Sequence, residues 1–204
     1  AADADVLLDA LAAGDDVRVE LAKGTFLSLS ESGNQMADFS SRGPALSDRN
    51  FLKPDVTAPG VDILAGTTPT PANGLEGETF QYFSGTSQAA PEVTGLAALL
   101  KESHPDWTPG MIKSALMTSS RQNVVVSADG DAANPFDRGA GHVDANKAND
   151  PGLVYENDYR DHAAYLCGLL DPPFAPADCA ALAAAGFTSA PTDVNLPSIA
   201  VAEL

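Results

Sequence analysis

The sequence predicts an α/β fold, part of a doubly wound, mostly parallel sheet flanked by helices. Three observations carry that expectation. Short apolar runs bounded by turn residues, VDILAG at 61–66 and TFQYFS at 79–84, read as strands. Two longer segments, 87–102 and HPDWTPGMIKSALMTSS at 104–120, read as helices. Strands alternating with helices of about 10–15 residues are the mark of βαβ units. The length of 204 residues suits one domain, or one domain and a fragment, and 44% hydrophobic residues supply its core.

Taken in order, residues 1–29 begin with a segment that Asp3 or Asp5 caps as a short helix to Ala13, with Gly14 as its stop signal. VRVEL then alternates as a strand does. SESGNQMADFSSRGPALSDRNFLKPD is a long Ser-, Gly- and Pro-rich loop region. VDILAG follows the turn signal APG and reads as a buried strand; TPTPANGLEGE is a surface loop; TFQYFS runs straight into Gly85. The helix over 87–102 carries Val93, Leu96, Ala97, Leu99 and Leu100, with Pro91 near its first turn. In the next helix Thr108 is the N-cap, Pro109 the first helical residue, and Met111, Ile112, Ala115 and Leu116 the apolar face. Beyond about residue 134 the chain is turn-rich, with CAALAAAGF as one short helix and DVNLPSIAVAEL as a closing strand.

Charge and cysteines narrow the class. Eleven basic against 28 acidic residues give −17, which argues against nucleic acid, since a phosphate-binding surface needs clustered Lys and Arg. No window approaches the roughly 18 apolar residues of a membrane span. The opening residues carry no basic n-region, which leaves location open. Cys167 and Cys179 flank a Pro-rich segment without CxxC spacing or a His-rich neighbourhood, so zinc is disfavoured. A disulfide is favoured over two separate thiols and implies an oxidising compartment. The acidic run DGDAANPFD (129–137) lacks an EF-hand pattern and reads as a solvated loop rather than a calcium site. No cofactor or metal is called for.

The stretch YFSGTSQAAPEVTGLAALLK (82–101) holds the chemistry. It places Ser87 after a strand and a tight turn, at the mouth of a helix. The unpaired N–H groups and partial positive charge of a helix N-terminus stabilise an oxyanion formed there. Gly85, Ala89 and Ala90 are small, so a substrate backbone can approach. The competing reading is a cap, because serine is among the best N-cap residues. The α/β-hydrolase elbow G-x-S-x-G is not met, since Ala89 stands at its fifth position.

The longer pattern G-T-S-x-A-x-P-x-V-x-G, from Gly85 to Gly95, resembles the active-site serine signature of subtilisin-like serine proteases. MADFSSRGP (36–44), LKPDVTAPGVDILAG (52–66), HPDWTPGMIKSALMTSS (104–120), FDRGAGHVDANKANDPGLVYENDY (136–159) and YLCG (165–168) resemble the plant-type, cucumisin-like branch, in that branch's order. The branch carries a protease-associated domain inserted between the catalytic His and Ser, and a fibronectin-III-like C-terminal domain. The resemblance implies that residues 1–29 are where the chain re-enters the protease domain after the inserted one. By the same resemblance 30–190 are the C-terminal half of that domain, and 191–204 start the C-terminal domain. It further implies a secreted, extracellular endopeptidase acting on polypeptide, with Ser87 as nucleophile and Thr86 as a further hydroxyl at the oxyanion site. Gly85, Ala89, Pro91 and Gly95 then serve shape.

A serine hydroxyl needs a base. His104, His142 and His162 all follow Ser87, whereas the family's His precedes it. The catalytic His and Asp and the oxyanion Asn are therefore expected upstream of residue 1, in the other half of the same protease, and the segment alone is expected to be inactive. Gln88 stands where the family usually has Met, and Glu92 where it usually has His. Gln88 carries no oxidisable thioether, and Glu92 is read as a first-turn acid suited to the helix dipole. The alternative is a non-catalytic homologue or processed half that serves as a structural or interaction piece. Trp107 is read as packing beside the Thr108 cap rather than as a substrate platform, and Arg42 as a turn anchor.

Overall fold

The two strand-like runs pair with each other. Ile63–Gly66 (β1) and Phe80–Phe83 (β2) form an antiparallel pair, with Ile63 opposite Phe83, Leu64 opposite Tyr82 and Gly66 opposite Phe80. The connection between them carries no helical period, and a parallel return needs a crossover of a dozen or more residues, usually a helix. Strand β2 accordingly returns antiparallel to β1. Period-2 alternation turns Leu64, Phe80 and Tyr82 to the exposed side, so β1 is not the buried strand expected from its apolar run. Among the described residues, extended pairing beyond this hairpin is confined to isolated bridges. Gln35–Val126 and Thr57–His142 are parallel, and Arg121–His142 and Val126–Ala132 antiparallel.

The computed structural model of the chain describes residues 12–13, 33–46, 48–70, 76–122, 125–126 and 131–200. The VRVEL strand and nearly all of the first helix expected from the sequence lie outside them. The chain divides into two compact units, Ala1–Gly33 and Asn34–Leu204. The second unit contains the hairpin and Ser87.

Its helices are Thr86–Ser103 (α1), Pro109–Thr118 (α2), Pro135–Arg138 (α3), Ala145–Asn149 (α4), Tyr159–Cys167 (α5) and Pro176–Ala184 (α6). The start of α2 is as its sequence dictates: Thr108 accepts from the Met111 N–H at 3.3 Å, with Pro109 at the first helical position. Short helices also occupy the region read as turns. Asn134 with Asp137, and Asp158 with Asp161, form reciprocal capping boxes that start α3 and α5. Helices α1, α2 and α4 pack on one another. Between them Leu100, Leu116, Val143 and Ala148 are buried, with Val56, Val93, Leu96, Trp107 and Ile112 packed around. Burying each large aliphatic side chain contributes about 1.5–3 kcal/mol.

Helices α5 and α6 form a separate pair, and a disulfide joins Cys167 to Cys179 across them. The chain then passes through a 3-10 turn at Pro191–Asp193, and residues 194–200 form no strand; the last four residues of the strand expected over 193–204 lie outside the described ones. Asn195 adopts a φ of 56°, outside the extended region, and Pro197 cannot donate to a ladder. Val194 is 1% exposed, and Asn195 Nδ2 donates to the Glu156 carbonyl at 2.6 Å, which fixes the segment locally.

Candidate active site

Strand β2 runs through Ser84 and Gly85 directly into α1. The N-cap is Gly85, not Ser87, and no side chain caps the helix. Ser87 is the second helical residue and is exposed, as is Thr86. Its hydroxyl is therefore not in the capping position. The Gln88 and Ala89 N–H groups donate back to the Gly85 carbonyl at 3.1 and 3.4 Å. Thr86 and Ser87 lie too early in the helix for their N–H groups to find an intrahelical acceptor.

The small residues around the serine fit specific approaches. The Gly85 N–H donates to the Gly60 carbonyl at 2.7 Å. A Cβ on Gly60 would lie 2.8 Å from the Gly85 carbonyl oxygen and 3.2 Å from the Ala89 Cβ. The APG turn thus packs against the helix mouth, and Gly60 belongs to the site although no serine motif contains it. Because α1 begins at Thr86, Pro91 falls in its second turn, beyond the first-turn position expected for it. It has no N–H to give the Ser87 carbonyl four residues back. Glu92 likewise lies beyond the first turn, which contains no acid. Gly95 is exposed, and a Cβ there would meet nothing within 4 Å.

The described residues bring no histidine to Ser87. His104 Nε2 lies 2.8 Å from the Asn149 carbonyl, and its ring stacks on Trp107 at 3.8 Å. His142 is held by its backbone between Thr57 and Arg121, and His162 sits on α5. Arg42 pairs with Asp137 at 3.5 Å beside the Gly43 to Phe136 backbone bond, as a turn anchor does. Asp137 also accepts from the Asn134 N–H. Among the described residues no group of three or more His, Cys, Asp or Glu could hold a metal ion.

Behind the serine, α1 leaves much of its apolar surface bare. Of its 18 residues only Leu100 is buried. Ala90, Val93 and Ala97 line an apolar groove of about 690 Å³ with Trp107, Ile112 and Leu116. Asp55, at the groove edge, bonds Lys53 and Lys113 at 2.5 and 2.8 Å. Burial pushes its carboxyl up, but the two ammonium groups outweigh that and hold it below the usual carboxylate range.

The Subtilase family model matches residues 10–150 of the chain. The subtilisin-like protease SBT1.4 of Arabidopsis thaliana is 45% identical over 162 residues, 72% of this chain and 20% of its own length. SBT4.12 of the same plant is 49% identical over 140 residues, 66% of this chain and 18% of its own. A solved protease structure from Pseudoalteromonas arctica shares 30% identity over 48% of this chain and 29% of its own, with a TM-score of 0.40. The chain spans about a fifth of the length of the curated relatives it matches. Among the described residues no helix is long and apolar enough to cross a membrane.

Proposed function

The chain belongs to the subtilase family, and from that premise we propose that it is the nucleophile-bearing part of a longer serine endopeptidase. Ser87 attacks the scissile carbonyl of a polypeptide, a His upstream of residue 1 takes the hydroxyl proton, and an upstream Asp orients that His. The His then gives that proton to the leaving amine as the peptide C–N bond breaks, and water, with the same His as base, hydrolyses the acyl-enzyme and frees Ser87. The first-turn N–H groups of α1 face the developing oxyanion, with the Thr86 hydroxyl and an upstream Asn beside them. The small Gly85 and Ala89 keep the approach open, while Pro91 and Gly95, further along α1, belong to the signature without lining that approach. The observation that carries this reading is that Ser87 is exposed at a helix mouth whose cap position belongs to Gly85.

The bare face of α1 supports the upstream half as partner. The segment of α1 from Leu96 to Leu100 is apolar on every side while only Leu100 is buried; a helical stretch apolar all round is built to be covered, and the groove along Ala90, Val93 and Ala97 is where such cover fits. In this reading the rest of a doubly wound sheet comes with that half. Residues 1–29 lead back from an inserted domain, 30–190 complete the protease domain, and 191–204 lead toward a further one. The Cys167–Cys179 disulfide favours an extracellular place of action. Gln88 and Glu92 favour, as a second reading, a homologue kept for structure alone.

Peptide hydrolysis separates the two. The longer protease is expected to cleave casein and to lose that activity on Ser87→Ala, while residues 1–204 alone show no Ser87-dependent turnover. Activity unchanged by Ser87→Ala would overturn the assignment.

A further inference from the structure

The strand that delivers Ser87 does not enter its helix as a plain ladder. Pairing in the β1–β2 hairpin ends at Ile63 opposite Phe83. Backbone pairing resumes once, where the Gly85 N–H meets the Gly60 carbonyl. Between those two pairings one strand advances three residues, Ile63 back to Gly60, and the other two, Phe83 to Gly85. The register thus slips by one residue over Val61 and Asp62, the residue count of a β-bulge at the end of the hairpin. Asp62 takes a φ of 54°, a left-handed value that Asp tolerates better than most residues.

At this bulge the hydroxyl of Ser84 stands in for the missing ladder. The Asp62 N–H donates to Ser84 Oγ at 2.9 Å, and Ser84 Oγ donates back to Asp62 Oδ1 at 3.3 Å. One hydroxyl thus uses both an acceptor and its donor to close the bulge. We propose that Ser84 and Asp62 form a latch that positions Ser87 for attack, acting as positioning residues that do not touch substrate. The inference rests on the reading of Ser87 as the nucleophile.

Ser84 lies three residues before Ser87, and α1 has no side-chain cap to fix the angle at which it leaves the strand. The latch and the Gly60–Gly85 bond hold that junction from one side. Bulges bend a strand and re-aim side chains, and they concentrate beside active sites for that reason. A non-glycine residue held at positive φ belongs to the same pattern. The latch is exposed, so its bonds add little to global stability. Its effect falls on where the serine oxygen sits, and a misplacement of about 1 Å can cost about 10²-fold in rate.

The test is a variant series in the longer protease, read as kcat and KM on one peptide substrate together with thermal midpoint. Ser84→Ala removes both latch bonds and is expected to lower kcat by about tenfold or more, with KM within about threefold and the midpoint nearly unchanged. Ser84→Thr keeps the hydroxyl and restores most of the rate. Asp62→Asn keeps an acceptor and tolerates the backbone angle, so it stays near wild type. Asp62→Gly keeps the angle, loses the acceptor, and gives an intermediate loss, so it tests the latch even if Ser84→Ala does not fold. Ser87→Ala is the control: if it leaves activity intact, the nucleophile reading fails and takes the latch with it. If Ser87→Ala is dead while Ser84→Ala and Asp62→Gly turn over like wild type, the nucleophile stands and the latch is refuted.

Discussion

Replacing Gly60 by alanine tests how closely the APG turn supports the serine. The added methyl would lie 2.8 Å from the Gly85 carbonyl oxygen and 3.2 Å from the Ala89 Cβ, where ordinary contact starts near 3.4 Å. Relief at the Gly85 oxygen requires a retreat of about 0.6 Å (3.4 − 2.8). Gly85 and Ala89 bracket Ser87 in sequence, so a shift that relieves both contacts carries the serine with it. Scaled against about 10²-fold for 1 Å, that shift lowers kcat on the order of tenfold. Overpacking of this kind also costs about 1–3 kcal/mol of stability, which leaves a well-folded protease measurable at 25 °C. Steady-state kinetics on the longer protease, alongside a thermal melt, check both numbers. A Gly60→Ala enzyme with kcat within twofold of wild type would show that the turn does not support the serine in the way described.

The packing and charges lead to other outcomes. Asp55 is held low by Lys113 and Lys53 against the effect of burial, so its contribution is present above the unfolded value of about 3.9 and is lost as pH falls through the lower folded value. Lys113→Met raises the folded value and is expected to move the acid-unfolding midpoint upward, as followed by circular dichroism. Leu116→Ala, at a side chain 5% exposed in the core between α1, α2 and α4, is expected to cost about 2–5 kcal/mol in urea unfolding. Reduction of Cys167–Cys179, or its double serine variant, removes a short-loop constraint of about 3 kcal/mol. It should expose α6 to limited proteolysis first, because that helix packs chiefly on α5.

How much of the fold is legible in the sequence depends on how local the signal is. Helix α2 announces itself through Thr108, Pro109 and an apolar face, because a cap and a first-turn proline are nearest-neighbour chemistry. The starts of α3 and α5 carry the same kind of signal in Asn134–Asp137 and Asp158–Asp161, hidden by the glycines, prolines and aromatics around them. The hairpin's direction runs against the sequence expectation, because alternation with helices suggests crossovers. The lack of a helical period in the sequence between Gly66 and Phe80 is the clue to an antiparallel return. The apolar run of β1 does not foretell its exposed face, since composition does not say what covers a strand. Ser87 is legible as a strand-to-helix serine, but its helix begins one residue earlier than expected, at Thr86. That offset moves the cap to Gly85 and Pro91 into the second turn. The latch between Asp62 and Ser84, 22 residues apart, leaves no spacing pattern, because it depends on a register that only the folded hairpin sets.

The most direct test of Ser87 as the nucleophile is covalent. A fluorophosphonate reacts with a serine whose hydroxyl is activated by a working His–Asp pair, and peptide mass mapping identifies the residue carrying the adduct. On the longer protease the adduct is expected on Ser87, with no labelling of the Ser87→Ala variant. An adduct mapped to any other serine, or labelling that survives Ser87→Ala, would contradict it.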